Sequence, residues 1–226
     1  AIAAFLAMIT ASIDNSWSPI FLEICETNES SSKIVGRYWT SFPAVLAIIC
    51  LLFLTISPIL VELLGGFDYS RSNKVIPWLV MGMYFQGLYM AFGKTLPMKK
   101  RTMLLAIITI CTSVLNLILT VLLVPERGII GAAIATCISY FVLMAASLYF
   151  SQRIEFMQVN YLRLATHISK FTIALILISL AFQNSFLAGI ISGTLLSSTL
   201  ILIDRSEVST MLSVQEHRMG HETPTT

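Results

Sequence analysis

Charge is the scarcest thing in this sequence. Of 226 residues, 12% are charged and 56% are hydrophobic, whereas a soluble domain carries about 25% charged residues. So little charge cannot clothe a water-facing surface, which excludes an ordinary soluble globule despite a length that could bury a large core. The net charge of +2, with no basic patch interleaved with aromatics, excludes a nucleic-acid partner. Cysteine is also sparse. Cys25, Cys50, Cys111 and Cys137 form no C-x-x-C pair and have no His at ligand spacing, so they read as small apolar fillers. His167 falls in an expected loop. His217 and His221 share a face only within a polar tail ending Thr-Pro-Thr-Thr, a poor setting for a metal. No dinucleotide fingerprint, phosphate loop or nucleophile elbow is present. Neither a catalytic residue, a cofactor nor a metal site is expected, and the chain does not read as an enzyme.

What is abundant is apolar sequence, and it comes in blocks: 1–22, 40–64, 75–93, 102–124, 128–150, 168–185 and 186–203. A membrane span needs about 20 apolar residues. The blocks are too long and too apolar for strands, and the ~10-residue alternation of barrel strands is not seen. Backbone groups in lipid must then be paired within helices. The fold class expected is all-α, a polytopic bundle of about seven transmembrane helices over residues 1–203. The segment after it, 204–226, reads as a polar cytoplasmic tail, disordered.

The few basic residues orient this bundle. The segments 23–39, 94–101, 151–170 and the tail together hold eleven Lys and Arg, and the alternate segments hold three. By the positive-inside rule the first set is cytoplasmic. Residue 1 then lies outside and the C-terminus inside. Lys99-Lys100-Arg101 reads first as a topology anchor and second as a contact for anionic headgroups of the membrane lipid. A first span that begins outside, with no charged leader, implies an earlier one. The expectation is the C-terminal part of a longer transporter-like protein.

Polar residues inside spans are the candidates for function. At 100° per residue, Ala3, Ala7, Thr10, Asp14 and Ser18 form one stripe of the first span, opposite Ile2, Phe5, Leu6, Ile9, Ile13 and Ile20. A carboxylate within a span costs at least ~2.5–3.5 kcal/mol and normally faces protein or a wet cavity. Asp14, followed by Asn15, either sits near the interface, locks two helices together, lines a cavity or couples an ion. Thr10, Asn15 and Ser18 join it as candidate cavity-lining residues. In 75–93, Gly82, Gln86, Tyr89 and Gly93 share one face, which suits close helix approach or an aqueous path lined by Gln86 and Tyr89. Gly128, Ala132, Ala135, Ser139 and Ala146 form a small-residue stripe that suits packing alone, as does Gly189-x-x-x-Gly193.

Residues 116–140 read "NLILTVLLVPERGIIGAAIATCISY". Asn116 is too deep to be a loop residue. Pro125 is expected to stop the helix that begins near 102, and Gly128 to release the chain into the next helix. The small face of that next helix, with Gly131 and Ala132, packs back on its partner. This stretch resembles the helical hairpin of polysaccharide and O-antigen flippases, of the multidrug/oligosaccharidyl-lipid/polysaccharide exporter superfamily. "SPILVELLGGFDYSRSNKVIPWL" and "ASIDNSWSPIFLE" are similar to other stretches of that family, and the resemblance covers about residues 1–150.

The resemblance implies two lobes of helices around a central cavity, alternating access, and a lipid-linked oligosaccharide as substrate. It implies the cytoplasmic (inner) membrane as location, and a missing N-terminal lobe of the same protein as partner. The family's cationic cavity residues have no counterpart in the middle of a span here. Two alternatives stand beside the flippase. One is a multidrug or cation exporter of the same fold, for which Asp14 is the acidic candidate. The other is a membrane-embedded glycan-modifying enzyme, which would need a His, Arg or carboxylate cluster at a membrane face.

Overall fold

The structure is a computed structural model describing residues 31–65, 75–184 and 186–203, with a few positions between 8 and 18. Among these residues there is no strand, and the elements in chain order are all helices. They are α1 (Ser31–Gly65), α2 (Ile76–Gly93), α3 (Thr95–Met98), α4 (Thr102–Arg127), α5 (Ile129–Ile154), α6 (Tyr161–Asn184) and α7 (Phe186–Ile203). Four helical stretches are long and apolar enough to cross a membrane: Val35–Ser57, Thr102–Arg127, Ile129–Ile154 and Tyr161–Phe182. Helices α2 and α7, of 18 residues each, complete the bundle. The chain is an all-α, multi-pass membrane protein. Most of the 1–22 block and the whole 204–226 tail lie outside the described residues.

The helices form a row and a second layer. Helix α5 packs against α4 on one side and α2 on the other, and α2 continues the row to α1. Helices α6 and α7 pair with each other and lie against α1. The core gathers where the layers meet. Trp39, Tyr84, Phe92 and Phe171 are all under 2% exposed, and the rings of Tyr84 and Phe171 stack with centroids 3.9 Å apart. Such pairs add about 0.5–1.5 kcal/mol beyond their buried area.

Several hydroxyls in the spans satisfy themselves locally, although the buried Ser147 hydroxyl has no partner among the described residues. Thr55 donates to the Leu51 carbonyl at 2.8 Å and Ser139 to that of Ala135 at 2.8 Å. Thr112 donates to the carbonyl of Ile108 at 2.9 Å. Each uses the carbonyl one turn back, so a polar side chain enters the bundle without an orphaned donor. Ser151 differs. Its hydroxyl donates across helices to the Phe92 carbonyl at 2.7 Å, pinning the C-terminal end of α5 to that of α2.

Two helices start earlier than the sequence expectation. Residues 31–39 read as part of a polar segment, yet α1 begins at Ser31, because Val35, Tyr38 and Trp39 are buried in the core. Likewise α6 begins at Tyr161 instead of near 168, and only six residues separate it from α5. His167, expected in a loop, is therefore a helical residue and is 5% exposed. Burial of Val35, Tyr38 and Trp39 extends α1, whereas the first residues of α6 are exposed and its start is capped by Asn160 Oδ1, which accepts the Arg163 N–H at 3.1 Å.

Candidate functional site

The α4–α5 hairpin carries the sequence motif. Helix α4 passes through Pro125 and ends at Arg127, so Pro125 does not stop it. Proline removes one backbone donor, so the Val121 carbonyl loses its partner one turn on, but only two helical residues follow and the helix carries that single loss. The stop is Gly128, whose φ of +58° and ψ of −136° suit glycine. Its N–H donates to the Val124 carbonyl at 2.8 Å, closing the last turn. Gly131 then faces α4 so closely that a Cβ there would strike the Leu123 carbonyl. Ala132, next to it, is only half-buried. Asn116 lies near the middle of α4, half-exposed instead of buried.

Helix α2 divides its polar face between two tasks. A Cβ at Gly82 would meet the Cys137 Cα at 3.5 Å, so this glycine is part of the close α2–α5 contact. The ring of Tyr89 lies 3.4 Å from the Cβ position of Gly93, one turn along the same helix. Gln86 is different: its Oε1 is buried with no hydrogen-bond partner among the described residues. Leaving a buried carbonyl unpaired costs about 1–3 kcal/mol, so Gln86 is the polar side chain here with capacity to spare.

Of the first-span candidates, Asp14 lies outside the described residues. Thr10 is buried, Ser18 half-buried and Asn15 exposed. Cys50 and Cys137 are buried fillers, and Cys111 is exposed on α4. Cys25 lies outside the described residues. Among the described residues there is no group of three His, Cys, Asp or Glu that could hold a metal ion. Sequence reasoning passed over three residues that the structure brings forward. Thr109, Ser113 and Thr120 share a face of α4 with Asn116, and their spacing of four, three and four was the available signal.

The two ends of the bundle differ in charge. Lys94, Lys99, Lys100, Arg101 and Arg153 lie at the end where α2 and α5 finish and α4 begins. There Lys99 pairs with Glu155 at 2.9 Å, tying the turn before α4 to the end of α5. Arg127 lies at the opposite end, in the last turn of α4.

No protein-family profile matches the chain, and no solved structure matches it. Over 100 residues it is 31% identical to a protein of Haloferax volcanii named "Probable low-salt glycan biosynthesis flippase Agl15". The match covers 43% of this chain and 21% of that protein. The chain thus spans about a fifth of the length of this curated relative. It is similar, over part of its length, to a flippase-like membrane transporter.

Proposed function

We propose that the chain forms part of a flippase that moves a lipid-linked glycan across the cytoplasmic membrane, working by alternating access between two lobes. The observation that carries this reading is the partial similarity to a protein named as a glycan biosynthesis flippase. The glycine-stopped α4–α5 hairpin, which resembles that of polysaccharide flippases, supports it. On this reading the described helices belong to one lobe, and the other lobe is the partner across the cavity. A drug or cation exporter of the same fold rests on Asp14 alone. The test is genetic. Cells lacking the full-length protein should lose the surface glycan and accumulate its lipid-linked precursor on the inner leaflet. Loss of glycan without precursor accumulation would point to an assembly enzyme, and no change in glycan would defeat the reading.

The charged end of the bundle is proposed to face the cytoplasm. In intact cells, a membrane-impermeant thiol reagent should label a cysteine placed at Glu126 and spare one placed at Lys99. The opposite pattern would reverse the orientation.

A further inference from the structure

Helix α4 has three faces. Ile108 and Thr112 are the buried residues of α4, whose main neighbour is α5, while Ile110, Leu117 and Val121 are each more than 60% exposed and wholly apolar. Between these two faces runs a third line: Thr109, Ser113, Asn116 and Thr120, which fall within about 60° of one another at 3.6 residues per turn. The hydroxyls of this line can bond their own helix, but the Asn116 amide cannot be satisfied by lipid, which offers it no partner.

The packing fixes which way this line looks. Helix α5 turns Gly131 toward α4 and Cys137 toward α2, which leaves two flanks facing opposite sides of the row; on the Thr136–Tyr140 flank, Leu143 and Ser147 further along are buried. On one flank Phe141 meets Phe85 of α2, with ring centroids 5.2 Å apart. On the other, Tyr140 lies 3.6 Å from the Cβ position of Gly82, and Thr136 precedes it by one turn. Helices α4 and α5 run antiparallel, so going round each from their shared contact in the same rotational sense reaches one common side. That side holds the Asn116 line of α4 and the Thr136–Tyr140 flank of α5. Gln86, one turn beyond Gly82 on α2, faces it as well. Three helices therefore present polar groups to a single side of the row, and Phe141, Ile110 and their apolar neighbours look the other way.

We infer that this side of the α4–α5–α2 row is the wall of a water-filled passage in the whole protein, taking an uncharged, hydroxyl-rich ligand segment such as a sugar. The chemistry of the wall selects the ligand. Thr109, Ser113 and Thr136 donate to carbonyls of their own helix at 2.9, 2.8 and 3.0 Å, so their oxygens remain open as acceptors. The amides of Asn116 and Gln86 add both donors and acceptors. No Lys, Arg, Asp or Glu lies between Thr102 and Thr120. Such a surface suits hydroxyls and offers nothing to a cation or a pyrophosphate. The ligand half of this inference rests on the flippase reading; the wet wall does not.

The experiment uses the full-length protein in cells, with Cys25, Cys50, Cys111 and Cys137 replaced by alanine. Single cysteines go in as Ser113→Cys, Asn116→Cys and Thr120→Cys on the polar line, and as Leu117→Cys and Val121→Cys on the apolar face. The probe is a charged methanethiosulfonate, which reacts with the thiolate that forms only in water. The three polar-line positions should react at least about tenfold faster than the other two. Equal, slow reaction at all five would overturn the wet wall and mean that another helix covers it. Labelling at Asn116→Cys is then compared in cells that make the lipid-linked glycan and in cells lacking its first glycosyltransferase. Protection in the former supports the sugar contact. Equal labelling overturns the ligand assignment, and because the genetic test above reads export separately, that failure is distinct from failure of the flippase reading.

Discussion

Gly131→Leu is expected to lower the thermal midpoint of the purified full-length protein by about 5–10 °C and to cut its level in the membrane. A Cβ at this position would already strike the Leu123 carbonyl, and it would lie 3.1 Å from the Val124 nitrogen. Both are backbone atoms of α4, which cannot rotate away as a side-chain tip can. The hairpin must open instead, along a contact that is among the most extensive in the bundle. Overpacking costs about 1–3 kcal/mol, and a rigid obstacle puts this variant at the upper end; each kcal/mol is worth about 2–4 °C in a domain of this size. Ala132→Leu is the control. Sequence reading treats the two positions alike, but Ala132 is half-buried, so leucine there should shift the midpoint far less. Equal midpoints for both variants would refute this packing.

Gly36→Leu should be comparably severe, at the other end of the bundle. A Cβ on Gly36 would meet the Gln158 carbonyl, with the Gln158 nitrogen 2.9 Å away. The segment between α5 and α6 lies directly on α1 here, and the Asn160 N–H donates to Thr40 Oγ1 at 3.4 Å. A leucine would lift that segment, break this hydrogen bond and uncover Met157, now 1% exposed. The loss is again about 1–3 kcal/mol. It has a local readout as well. Limited proteolysis should cut within 155–160 in Gly36→Leu and spare the wild type. Resistance equal to wild type would mean that the segment does not depend on this contact.

The helical class was readable because lipid leaves the backbone no alternative to internal pairing, so long apolar blocks could be little else. Boundaries were harder. Lys33 and Arg37 pull residues 31–39 toward a loop reading, while the burial of Val35 and Trp39 keeps them helical. Pro125 looked like a stop, since proline usually is one; the helix instead carries the loss of one i→i−4 bond and runs two residues further, and the positive φ of Gly128 ends α4. The depth of Asn116 was legible from its place in an apolar block. Its direction was not. Which way a helix faces depends on its neighbours, and the polar line through Thr109, Ser113 and Thr120 gains meaning only once α5 is known to cover Ile108 and Thr112.

Translocation itself tests the central claim most directly. The full-length protein would be reconstituted into vesicles loaded on one leaflet with a fluorescent polyprenyl-linked glycan, and a glycosidase added to the opposite compartment. The account predicts cleavage of the lipid-linked glycan that depends on the protein and is lost in Gly131→Leu. Cleavage no faster than in protein-free vesicles, from preparations that retain their native thermal midpoint, would contradict it.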